Sequence, residues 1–70
     1  HATVEARIAQ LTPREHQVMR LMARCETSKT IAETLGISVR TAEHHRAQVR
    51  QKLRVKSVPA LLALLARRNR

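Results

Sequence analysis

Apolar residues recur at helical spacing along almost the whole chain, and no stretch alternates apolar with polar residues long enough to form a strand. Val4, Ile8 and Leu11 stand at i, i+4 and i+7, which predicts a short amphipathic helix over residues 2–10. Thr12-Pro13-Arg14-Glu15 reads as a capping box. The Thr12 hydroxyl accepts from the Glu15 N–H, the Glu15 carboxylate reaches back, and Pro13 sits where the helix needs no N–H. Val18, Leu21 and Met22 are the expected buried stripe of the helix that follows, to about Arg24. Thr27 or Ser28 can cap the next helix, with Ile31, Ala32 and Leu35 inward and Gly36 closing it. Ser38 can cap a helix over about 39–53 with Ala42, Val49 and Leu53 on its inner side. After a turn at Arg54-Val55-Lys56, Ser57 caps a last helix with Pro59 in its first turn and Leu61, Leu62, Leu64 and Leu65 on its apolar face.

Composition narrows what such a fold can do. Seventy residues make one small domain, and with no Phe, Trp or Tyr its core must be aliphatic. The same absence removes the stacking platforms on which most single-stranded DNA and RNA readers depend. Fourteen Lys and Arg against five acidic residues give a formal charge of +9. Residues 1–26 hold four Arg against three Glu, a net +1. Residues 27–70 hold ten cations against Glu33 and Glu43, a net +8. A charge so placed suits a polyanion, nucleic acid before an anionic membrane surface. The apolar run near Val58–Ala66 is too short to span a bilayer, so no membrane partner is expected. The lone Cys25 allows no intrachain disulfide and fits a reducing cytoplasm. A chain that starts at His1 rather than Met is expected to be a piece of a longer protein.

Two short helices joined by Leu35-Gly36-Ile37-Ser38, the second rich in Arg, make a helix-turn-helix pattern over residues 27–46. The predicted fold is therefore all-α, a small four-helix bundle of helix-turn-helix type. Residues 1–10 form a short N-terminal linker helix and residues 11–70 the domain. At 3.6 residues per turn, Arg40, Glu43, His44, Ala47, Arg50 and Arg54 face away from Ala42, Val49 and Leu53. Glu43, His44 and Ala47 stand where a reading helix touches base edges, with Arg46, Arg50, Lys52 and Arg54 on the flanks where phosphates run. The helix starts near Ser28 and Ser38 present free N–H groups beside Lys29, Arg40 and Thr41, a second set of phosphate candidates.

These residues carry a resemblance. Leu11-Thr12-Pro13-Arg14-Glu15, Lys29-Thr30-Ile31-Ala32, Leu35-Gly36-Ile37-Ser38, the run Arg40 to Arg46, and Lys52-Leu53 through Val55-Lys56-Ser57 resemble the LuxR-type helix-turn-helix family. Within it they look closest to the FixJ/NarL-like branch of two-component response regulators. The resemblance implies a sequence-specific duplex-DNA-binding effector domain that regulates transcription with helix 39–53 in the major groove. It assigns base reading to Glu43, His44 and Ala47, and phosphate contact to Lys29, Thr41, His45, Arg46, Arg50 and Lys56. It further implies a homodimer on DNA through the last helix (Val58, Leu61, Leu62, Leu65), an N-terminal receiver domain, and activation through contact with RNA polymerase. Cys25 stands where the family usually has Gly, Ala42 where Val is common, and His44 where an aliphatic residue is common.

Two rival readings are a sigma-factor promoter-recognition domain and a protein-interaction or membrane-surface module built on the Leu61–Leu65 helix. A sigma domain generally ends after its reading helix, whereas this chain continues into a fourth, and an interaction module leaves the basic stripe unexplained. No metal site is expected: His44 and His45 point about 100° apart on a helix, and neither pairs with His16 at ligand spacing. Cys25 has no base or oxyanion donor indicated beside it and is expected to be buried or half-exposed. The expectation is no enzyme and no cofactor.

Overall fold

The computed structural model describes residues 3–69, and among them all regular structure is helical: α1 (Val4–Ile8), α2 (Pro13–Ala23), α3 (Ser28–Leu35), α4 (Val39–Leu53), α5 (Val58–Ala66) and a 3-10 turn at Arg67–Asn69. Each α-helix starts on a Ser or Thr. Thr3, Thr12, Thr27, Ser38 and Ser57 are all in extended conformation, and their hydroxyls accept from the N–H of Ala6, Glu15, Thr30, Thr41 and Ala60. Of the two candidates before α3, Thr27 is the cap, which leaves the Ser28 hydroxyl free for another partner. The first helix is shorter than the predicted 2–10: Thr3 takes the cap position in extended conformation and α1 ends at Ile8, while Ala2 lies outside the described residues. Beyond Ile8 the chain tightens through Gln10 N–H to Arg7 C=O (3.1 Å) and Leu11 N–H to Ile8 C=O (3.0 Å), then enters the Thr12 cap.

α4 packs on α1, α2 and α3, while α5 lies against α2. Val18, Met22, Ile31, Ala42, Val49, Leu53 and Leu61 have no exposed surface, an aliphatic core to which each of α2 to α5 contributes. Met19 is also buried, whereas Leu21 of the expected stripe is only half-buried. The apolar arc of α2 is wider than its spacing suggested because it meets α4 and α5 on adjoining sides.

Three corners close helices in the left-handed region: Cys25 (φ 62°), Gly36 (φ 67°) and Arg54 (φ 58°). In each, the following N–H bonds a carbonyl five residues back: Glu26 to Leu21 (3.2 Å), Ile37 to Ala32 (3.0 Å), Val55 to Arg50 (2.9 Å). Only the middle corner uses Gly. A residue with a Cβ is disfavoured there, by about 1–2 kcal/mol. Cys25 is exposed rather than buried, since the left-handed turn carries its side chain off the core.

The polar exception within the core is Glu15, 6% exposed. Its Oε1 accepts from the Thr12 N–H at 3.0 Å, completing the capping box, and from Lys52 Nζ of α4 at 2.7 Å. The Lys52 ammonium, followed by the Thr12 N–H, holds the Glu15 carboxyl below its ordinary range.

Cys25→Gly relieves the left-handed strain, partly offset by the entropy of Gly, and is expected to add about 1 kcal/mol, roughly 4–8 °C in Tm; a lowered Tm in thermal melts followed by circular dichroism would refute it. Because folding lowers the Glu15 value, its stabilisation is complete above the ordinary carboxylate range and is lost as pH falls through the lowered folded value. Lys52→Ala should thus cost about 1 kcal/mol at neutral pH, a charge-assisted bond discounted for its partly exposed lysine. Urea titrations at descending pH should show the gap between wild type and variant closing; a constant gap would disprove the coupling.

Candidate nucleic-acid interface

The interface is built on α4, whose inner stripe of Ala42, Val49 and Leu53 is fully buried and fixes which residues face outward. Glu43, His44 and Ala47 are all exposed on the opposite side, and so is Arg40 in the first turn. Val39 also stands 44% exposed at the head of the helix, an apolar surface beside this strip that the spacing of the core residues did not single out.

The two flanks of α4 differ. Arg46 and Arg50 lie toward α3, where they line a polar recess of about 250 Å³ with Ser28 and Glu43. Arg46 Nη1 donates to Ser28 Oγ at 3.0 Å, so one of the expected phosphate ligands is held in place by the hydroxyl that α3 did not use as its cap. Neither local pattern nor composition signalled this pairing across 18 residues. Lys52 departs from expectation. About 100° of rotation per residue puts it on the other flank, toward α2, where it pairs with Glu15 and is committed to the core. Arg54 is exposed, at the left-handed corner that ends the helix.

The starts of α3 and α4 repeat one arrangement. Thr27 Oγ1 donates to Thr30 Oγ1 at 3.1 Å and Ser38 Oγ donates to Thr41 Oγ1 at 2.9 Å. Each second hydroxyl therefore keeps its own proton for an outside acceptor. Lys29 is exposed in the first turn of α3. His45 is half-buried, its ring centroid 5.9 Å from that of exposed His44 with the planes 57° apart. Lys56 is exposed on the α4–α5 connection, away from the recess. The structure thus gathers Glu43, Arg46, Arg50 and Ser28 at one place, with Lys29, Arg40 and Thr41 on the adjoining helix starts.

On α5 the four expected dimer residues divide. Leu61 is fully buried and has no surface for a partner; its place on the inner side of α5 makes it a core residue, which corrects its inclusion among the dimer residues. Leu65 is half-buried against the same core. Val58 and Leu62, the latter 39% exposed, line an open apolar groove of about 450 Å³ with Pro59 and Cys25. Among the described residues no helix is long and apolar enough to cross a membrane, and no group of His, Cys, Asp and Glu could hold a metal ion.

Comparison with known proteins places relatives beside this geometry. Residues 9–65 match the family described as "Bacterial regulatory proteins, luxR family". The chain is 48% identical over 65 residues to the transcriptional regulatory protein FixJ of Azorhizobium caulinodans, covering 90% of the chain and 31% of that protein. It is 42% identical over 53 residues to the tetrathionate response regulatory protein TtrR of Salmonella typhimurium (76% of the chain, 26% of that protein). A third relative, the oxygen regulatory protein NreC of Staphylococcus carnosus, is 42% identical over 52 residues (74% and 24%). The chain spans about a quarter to a third of the length of these curated relatives. No solved structure matches it.

Proposed function

The chain belongs to the luxR family of bacterial regulatory proteins, whose members are DNA-binding transcription regulators and not enzymes, and from that premise we propose that it is the sequence-specific duplex-DNA-binding effector domain of a two-component response regulator. α4 enters the major groove with Glu43, His44 and Ala47 toward base edges. Lys29, Arg40, Thr41, His45, Arg46, Arg50 and Lys56 contact phosphates, and residues 11–70 act as the binding unit behind the linker helix. The observation that carries this reading is the recess where Arg46 and Arg50 meet the start of α3, beside an exposed strip of three small or polar residues. Electrostatic attraction to phosphate supplies affinity there, and the strip supplies selection.

The relatives support the wider setting, since they are named as transcriptional and response regulatory proteins and are about three times as long as this chain. A phosphorylatable receiver domain would precede the linker helix, and RNA polymerase would be the partner in activation, in the cytoplasm. Two copies would occupy half-sites through the exposed edge of α5, where Val58 and Leu62 line the open groove. One small apolar edge buries too little area for a stable free dimer, so pairing would depend on DNA.

Gel-shift titrations on a specific and a scrambled duplex test the division of labour. Arg50→Ala should weaken both equally and flatten the dependence of log affinity on log salt by about one unit. His44→Ala should leave the scrambled duplex almost unchanged and alter the preference among specific ones. Equal loss on both duplexes for His44→Ala would remove it from the reading strip.

A further inference from the structure

We infer that Glu43 makes the domain select cytosine, on one strand, at one position of each half-site. The inference rests on the duplex-reading function proposed above and goes further by naming the base. Glu43 is the fifth residue of α4, in the part of a reading helix that meets base edges. Within residues 38–56 it is a lone acid among six cations. It lines the same recess as Arg46 and Arg50, yet the ion pairs among the described residues join Arg24 to Glu26, Lys52 to Glu15 and Arg68 to Glu5, and Glu43 is in none of them. Glu43 is exposed, and among the described residues no side-chain hydrogen bond or ion pair engages its carboxylate.

A free carboxylate carried toward a phosphate backbone is repelled, so the base edge it meets must supply a donor. In the major groove guanine shows only the acceptors N7 and O6, and thymine the acceptor O4 and a methyl group. Both leave the carboxylate desolvated without a partner, which excludes them by repulsion rather than by a missing contact. Adenine offers N6–H2, but its neighbouring N7 lone pair faces the second carboxylate oxygen. Cytosine offers N4–H2 with no acceptor beside it, which leaves cytosine as the base that fits. Ala47, one turn further along the exposed strip, is small enough for the helix to approach closely, as a short Glu side chain requires.

The test is selection of bound duplexes from a randomised pool by the wild-type chain and by Glu43→Gln, Glu43→Ala and His44→Ala, followed by affinities on duplexes carrying each base at the selected positions. Glu43 is exposed, so the variants should fold, and thermal melts check that they do. Wild type should favour cytosine over thymine or guanine at one position per half-site by roughly 5- to 150-fold. Glu43→Gln, which carries donor and acceptor together, should convert that position to adenine. Glu43→Ala should make it indifferent, with other positions unchanged. The inference falls if all the proteins select the same base there, or if the Glu43 variants lose affinity uniformly with the pattern intact, as they would if Glu43 only oriented Arg46 or Arg50. A pattern that shifts with His44→Ala but not with Glu43 substitutions overturns the cytosine assignment while leaving sequence reading in place. Failure of the wild type to enrich any duplex overturns the duplex-reading function itself, and this inference with it.

Discussion

Glu15 closes the first turn of α2 and reaches across to Lys52 near the end of α4, so one buried carboxylate serves both as a helix cap and as an anchor between helices. An aliphatic core without aromatic rings holds its helices by shape alone: Val18, Val49 and Leu53 are sealed from solvent, and their close packing fixes the buried face of α4. A charge-assisted bond adds direction to that packing, because its donor and acceptor must meet at limited distance and angle. The pairing therefore reinforces the rotation of α4 that its buried stripe sets, and with it the direction in which Glu43, His44 and Ala47 point. A few tens of degrees of rotation would carry the strip out of register with the helix starts that flank it.

The rest of the frame is local. Ser or Thr caps open every described α-helix, and left-handed corners close α2, α3 and α4. Placing Cys25 and Arg54 at two of those corners gives up backbone stability that Gly would have kept. The Arg54 corner keeps a cation at the C-terminus of α4, where the helix dipole favours positive charge.

Most of this frame was legible in the sequence because its signals are short-range. Thr12-x-x-Glu15, Gly36 and Ser38 each act within a few residues, and the three buried positions of α4 follow directly from helical period. What was hidden involved partners far apart in the chain. Lys52 looked like one more surface cation until Glu15, 37 residues away, took it, and Ser28 looked like a cap until Thr27 did that work and Arg46 bonded to it. Leu61 and Leu62 are equivalent in composition, and only the side of α5 that meets α2 distinguishes the core residue from the exposed one. Period gives the face of a helix, but which neighbour covers that face depends on the packing of all of them.

The alternation along α4 has a consequence for how such a domain can diverge. Ala42 and Val49 are sealed in the core while Glu43, His44 and Ala47, on the same helix, belong to the exposed strip. If the strip reads bases as proposed, a substitution in it would change what is recognised with little effect on folding, and one beneath it would change folding first. On that reading, duplicated copies of the domain could drift to new targets in single steps without passing through unstable forms. Arg46 is where that freedom narrows, because its bond to Ser28 ties a strip-side residue to the framework.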